Sequence, residues 1–132
     1  MSASNHSKTP LALITEHRDS NRWTFPTGSL VFRHGDFADA IYVVEQGLVE
    51  LGGGRGNRVR YGVGELFFYE DLMSQDQRHS RDAKALTPLA LIRLDRTGFL
   101  TLIYQHPTLV VDLIALQHRR LRQQRADARH VY

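Results

Sequence analysis

The chain has 132 residues, 42% of them apolar, which is the size and composition of one globular unit able to bury a single core. It contains no cysteine, so a disulfide framework and a thiolate metal site are both excluded, and the cytoplasm is the expected compartment. The formal charge of +3 points to nucleic acid until it is mapped: five of the fifteen arginines lie between Arg119 and Arg129, so the basicity is mostly a tail.

The opening "MSASNHSKTP" is polar and reads as a loose terminus, and "LALITEH" behind it as one or two turns of helix. The apolar run from Leu11 to Ile14 is too short for a signal sequence or a membrane span, so a soluble protein with no membrane contact is expected. Residues 1–21 form the first of three expected segments. From "RWTFPTGSLVF" onward, short apolar runs are cut by Gly28, Gly35, Gly47, Gly62 and Gly64, the pattern of an all-β sandwich or barrel. Strands are predicted at 30–32, 40–46, 48–52, 57–61, 83–86 and 89–95, with Gly47 turning the second into the third. The Gly-rich stretch in "GLVELGGGRGNRVRYG" is a hairpin tip rather than a phosphate cradle, because no helix start or Walker lysine follows it.

After "LDRTGF" the texture becomes helical, first in "FLTLIYQH" and then, past Pro107, in "TLVVDLIALQHRRLRQQRADAR". Pro107, Thr108 and Asp112 fit a helix start. Leu109, Val110, Leu113, Ile114, Leu116 and Leu121 cover an arc of roughly 160°, wider than the ~100° stripe that one contact surface needs. Such a helix can touch its own β-structure and a second subunit together, so a homodimer through it is expected. Gln117 and Arg120 interrupt the arc and send its end into solvent. The β-region is thus assigned to 22–105 and the closing helix with its basic tail to 106–132.

Over roughly residues 22–122 the chain resembles the cyclic nucleotide-binding domain shared by catabolite-activator and fumarate-nitrate-type regulators, kinase regulatory subunits and gated channels. The resemblance rests on "FPTGSLVFRHGDFADAIYVVEQGLVEL", with Gly28, Gly35, Asp39-Ala40-Ile41-Tyr42 and Gly47. It rests also on "ALTPLALIRLDRTGFLTLIYQHPTLVVDLIALQHRRL", with Phe99 and Pro107. It implies a mainly β fold, a jelly-roll β-barrel with helices at both ends and one short helix inside the ligand segment. It also implies a stand-alone domain, since no helix-turn-helix follows the closing helix and no sequence-specific DNA binding is expected of this chain alone.

In ligand-binding members of that family a Gly-x-x-x-Gly-Glu segment approaches the sugar, and an Arg-Ser or Arg-Ala pair some ten residues later holds the cyclic phosphate. Here the corresponding stretch is "GELFFYEDLMSQDQRHSRDAKA". With Gly64 on the first glycine, the second glycine falls on Phe68, the glutamate on Tyr69, the arginine on His79 and the serine on Ser80. Phenylalanine removes the glycine's conformational freedom, and a histidine replaces a fixed guanidinium able to grip an anion through two parallel bonds. Five acids (Glu65, Glu70, Asp71, Asp76, Asp82) against three bases (Arg78, Arg81, Lys84) leave the stretch at −2. A one-residue slip brings Glu70 and Arg78 into place beside His79 and Ser80, and that register is the alternative of a genuine cyclic AMP or cyclic GMP sensor.

Other chemistry finds little support. The seven histidines, at 6, 17, 34, 79, 106, 118 and 130, show no His-x-His or His-x-x-x-His spacing, and only His34 lies next to a predicted strand, so no metal site is expected. His79 is expected to be a solvated loop residue. Glu70 and Asp71 are adjacent rather than opposed, and are read as complements to a helix dipole rather than catalytic acids. The basic end "HRRLRQQRADAR" has the charge density to contact nucleic acid through phosphates, and is read first as the solvated end of the final helix. The expected function is therefore a non-catalytic regulatory or sensor domain with no cofactor and a diverged phosphate cassette, acting through an unknown ligand or protein partner. Cyclic nucleotide is the alternative ligand.

Overall fold

The computed structural model describes residues 9–52, 58–67, 71–72, 74–116 and 119. A short helix α1 (Pro10–Thr15) opens the chain, with Thr9 at its N-cap accepting from the Ala12 amide through Oγ1 at 3.1 Å and proline in the first turn, where a missing N–H costs nothing. Eight strands follow: β1 (Asn21–Phe25), β2 (Leu30–Phe32), β3 (Ala40–Gln46), β4 (Val49–Gly52), β5 (Val59–Tyr61), β6 (Leu66–Phe67), β7 (Asp82–Ala85) and β8 (Leu89–Asp95). Two helices close it, α2 (Arg96–Gln105) and α3 (Leu109–Leu116).

The strands form two antiparallel four-stranded sheets, in the orders β1-β8-β3-β6 and β2-β7-β4-β5. This is the expected jelly roll, built as two facing sheets. Among the described residues the hydrogen-bonded ladders do not close into one barrel. The apolar runs "AIYVV" and "LALI" belong to β3 and β8, the two inner strands of the first sheet, which are covered on both faces and so lack the alternation of a half-exposed strand. Tyr42, Val44, Leu89 and Leu91 face the second sheet and pack with Phe32, Leu51 and Phe67. Ile41, Val43, Ile92 and Leu94 face the helices and pack with Ile14, Phe99, Leu109 and Leu113. Each such side chain, fully buried, contributes roughly 1.5–3 kcal/mol.

Two turns decide how this frame closes. Gly47, between β3 and β4, has φ +92, and a Cβ there would run into the Pro88 carbonyl, so the position requires glycine for conformation and for space. At the end of β8, Asp95 caps α2 by accepting from the Gly98 amide at 2.8 Å. The chain then bends by 114° into α3. No single helix among the described residues is long and apolar enough to cross a membrane.

Two strands lie outside those predicted. β1 carries an almost wholly exposed pattern, "NRWTF", because it is an edge strand held by its ladder to β8 rather than by burial. β6 is two residues long, too short for any periodicity to register.

Candidate functional site

The segment singled out in the sequence begins where Gly64, at φ +87, turns β5 into β6. Its amide donates to the Val44 carbonyl at 2.8 Å, and Glu65 Oε1 accepts from the Gly62 amide at 2.7 Å, which fixes the turn. β6 then pairs with β3 through Tyr42↔Phe67 and Val43↔Leu66. Phe68, Tyr69 and Glu70 lie outside the described residues. The segment is described again from Asp71, and Leu72 is wholly buried among the helix-side residues. The Leu72 carbonyl accepts from Arg96 Nη1 at 2.7 Å, tying the segment to the first turn of α2.

The return path runs beside the β2–β3 loop. Gln77 takes a positive φ of 53, and Arg78 then bridges Phe37. The guanidinium of Arg78 lies 5.4 Å from the Phe37 ring centroid and donates to the Gly35 carbonyl at 2.9 Å, so it covers the loop. The backbone of His79 is stitched to the same loop: its amide donates to the Asp36 carbonyl and its carbonyl accepts from the Gly35 amide, both at 2.8 Å.

His79 is therefore not the solvated loop residue that composition suggests. It is 3% exposed, and its ring lies flat on Phe32, with centroids 3.4 Å apart and planes 3° from parallel. Its Nδ1 lies 3.2 Å from Asp71 Oδ2. Ser80 adds two donors to the same carboxylate, its amide to Oδ2 at 3.4 Å and its hydroxyl to Oδ1 at 3.2 Å. Ser74 Oγ donates to the Asp71 carbonyl at 2.8 Å and so holds the turn that presents this carboxylate. Outside the cluster is an open pocket of about 300 Å³, lined by His34, Gly35, Asp71, Ser74, Asp76, Arg78, His79 and Ser80.

Between the sheets the space is aromatic. Tyr61, Phe67, Tyr42, Phe32 and His79 follow one another, with centroid separations of 5.5, 5.3, 6.2 and 3.4 Å. Trp23 joins at 6.5 Å from Tyr42 and carries the Arg93 guanidinium 4.6 Å above its ring. Arg93 Nη2 also reaches Asp39 Oδ1 at 3.3 Å. Burial pushes the Tyr42 phenol above its ordinary pKa, so it stays protonated as a neutral partner of Arg93.

The remaining predicted residues separate clearly. Arg78, His79 and Ser80 line the pocket together, whereas Gly64 lines the separate apolar cavity beneath α3. Asp71 was read as a helix-dipole complement, but its carboxylate turns to His79 and Ser80; an acid eight residues before a histidine carries no sequence signal for this. Of the helix residues assigned to a dimer, Leu109 and Leu113 are each 1% exposed and packed into the chain's own core, Val110 and Leu116 are partly buried, and Ile114 is 44% exposed. Leu121 lies outside the described residues. Leu113 and Leu116 line, with Leu11, Tyr61, Leu66 and the Gly64-Glu65 turn, an apolar cavity of about 110 Å³ that joins α3 to the start of the segment. Among the described residues no three His, Asp or Glu side chains are grouped to hold a metal ion.

Comparison with known proteins agrees with this architecture. The profile of the cyclic nucleotide-binding domain matches residues 22–106. The cyclic AMP receptor protein of Thermus thermophilus is 36% identical over 107 residues, covering 77% of this chain and 49% of that protein. The crystal structure of the Thermus thermophilus catabolite activator protein superposes with a TM-score of 0.70 at 30% identity, over 92% of this chain and 58% of that one. A structure described for a cyclic-GMP-dependent signalling pathway in bacterial phytopathogenesis superposes with a TM-score of 0.72 at 23% identity, over 93% and 95% of the two chains, a likeness of fold. The chain spans about half the length of the Thermus thermophilus receptor protein.

Proposed function

This chain belongs to the cyclic nucleotide-binding domain family, and we propose that within it the chain is a non-catalytic regulatory domain whose cassette has left cyclic phosphate chemistry and answers to another small ligand or a protein partner. One observation carries this reading: His79, which the family resemblance sets at the phosphate-binding arginine, is buried flat against Phe32 and bonded to Asp71. A guanidinium could extend to an anion through two bonds, whereas this imidazole is held within the aromatic file. The rings of Phe67, Tyr42 and Phe32 pack one against the next between the sheets and hold the imidazole in place. The tie of Leu72 to Arg96, and the cavity shared by Gly64 and Leu113, give the segment two mechanical links to the closing helices.

A genuine cyclic nucleotide sensor is the second reading. It is favoured by Ser80, whose amide and hydroxyl still converge on one anion, and by Arg78 on the wall of the same pocket. Thermal melting with millimolar cyclic AMP, cyclic GMP and cyclic di-GMP separates the two. A ligand at 100 times its dissociation constant adds about 2.7 kcal/mol, a rise of several degrees. The expected result is an unchanged melting temperature in all three; a rise of that size with any of them establishes the sensor.

The proposed homodimer uses the face of α3 that the core leaves open, where Val111 is 65% and Ile114 44% exposed. Ile114→Asp is expected to convert a sedimenting dimer to monomer with stability changed by less than about 0.5 kcal/mol, as for a surface substitution. A variant that still sediments as the wild type rules this face out as the interface.

A further inference from the structure

The geometry points to Asp71 as an internal anion that occupies the cassette in place of a ligand's phosphate and so sets the specificity of the site. This inference rests on the reading of the cassette given above and goes further, because it names the residue that excludes the ligand. Three donors of different kinds, an imidazole nitrogen, a backbone amide and a hydroxyl, converge on one carboxylate at 3.2, 3.4 and 3.2 Å. That donor set is suited to an oxyanion, and both carboxylate oxygens are used. The Asp71 side chain is 14% exposed and that of His79 2%, so the carboxylate is largely enclosed where it lines the 300 Å³ pocket.

Charge sharpens the exclusion. With histidines neutral, the pocket wall carries Asp71, Asp76 and Arg78, a net of −1. An incoming phosphate must displace Asp71 from its donors and then share the pocket with it. Removing the Asp71 charge brings the wall to zero and frees the Ser80 amide and hydroxyl; His79→Arg in addition brings it to +1.

The test uses the full chain, with Asp71→Gly, Asp71→Asn and the double variant Asp71→Gly/His79→Arg, melted and titrated calorimetrically in inorganic phosphate and in cyclic AMP at matched ionic strength. Asp71→Asn keeps the size of the side chain and serves where the glycine variant does not fold. The wild type should respond to neither probe. The folded single variants should gain a phosphate-dependent rise in melting temperature, and the double variant should bind cyclic AMP at least tenfold more tightly than either single variant. A cyclic AMP response in the wild type overturns the diverged-cassette reading itself. A silent wild type with folded but equally silent Asp71 variants overturns the internal anion alone and leaves that reading standing.

Discussion

Replacing Phe67 with alanine is expected to destabilise the chain by about 3–5 kcal/mol, which for a domain of this size lowers the melting temperature by roughly 10–20 °C. Phe67 is 2% exposed and lies between Tyr42 and Tyr61, so its removal empties the middle of the aromatic file rather than its end. The two-residue strand β6 cannot collapse into the gap, because its backbone is paired to Tyr42 and Val43 on β3. Lost transfer free energy and an unfilled cavity therefore add. Differential scanning calorimetry of the variant checks this; a loss below about 1 kcal/mol would mean that the space between the sheets is not packed as described. Phe67→Leu, which keeps most of the volume, should recover more than half of the loss.

The second large effect is expected at His79. Alanine there removes a ring stacked on Phe32, worth about 0.5–1.5 kcal/mol beyond its burial, and a bond to a carboxylate, worth about 1.5–3 kcal/mol. A loss of about 2–4.5 kcal/mol follows from these two contributions, and the Asp71 carboxylate is left with the two Ser80 donors. Phenylalanine at the same position restores the stack and not the bond, so His79→Phe should fall between wild type and alanine. Denaturant unfolding of the three proteins resolves the order. If His79→Phe matches the wild type, the bond to Asp71 contributes nothing; if His79→Ala matches it, the histidine is not buried.

How far the sequence led is clear from particular elements. The β3 run "AIYVVEQ" and the β8 run "LALIRLD" were found to the residue, because strands covered on both faces are uninterrupted in apolar character and ended by turn residues. β1 was missed because its contribution is a backbone ladder to β8, which leaves its side chains free to be polar or exposed. The arc on the closing helix was legible, but its direction was not: Leu109 and Leu113 point into the chain's own core, and only contact with Ile14 and Phe99 across the fold reveals that.

The site was legible in a different measure. Alignment to the family pattern identified Phe68, Tyr69 and His79 as altered positions and Ser80 as a retained one, and His79 and Ser80 line the pocket. The burial of His79 was invisible, since "RHSR" is polar on every side and the ring is covered by Phe32, forty-seven residues away in the chain. Asp71 was invisible for the same reason. A carboxylate near the start of a helical turn and a carboxylate aimed at two residues beyond it read identically until the turn is folded.

The most direct measurement is a crystal structure of the wild-type chain grown in saturating cyclic AMP. Asp71 should remain 3.2 Å from His79 Nδ1 and bonded to the Ser80 hydroxyl, with no phosphate density against Ser80. Density for a cyclic phosphate on the Ser80 amide and hydroxyl, with Asp71 swung away, would contradict the account.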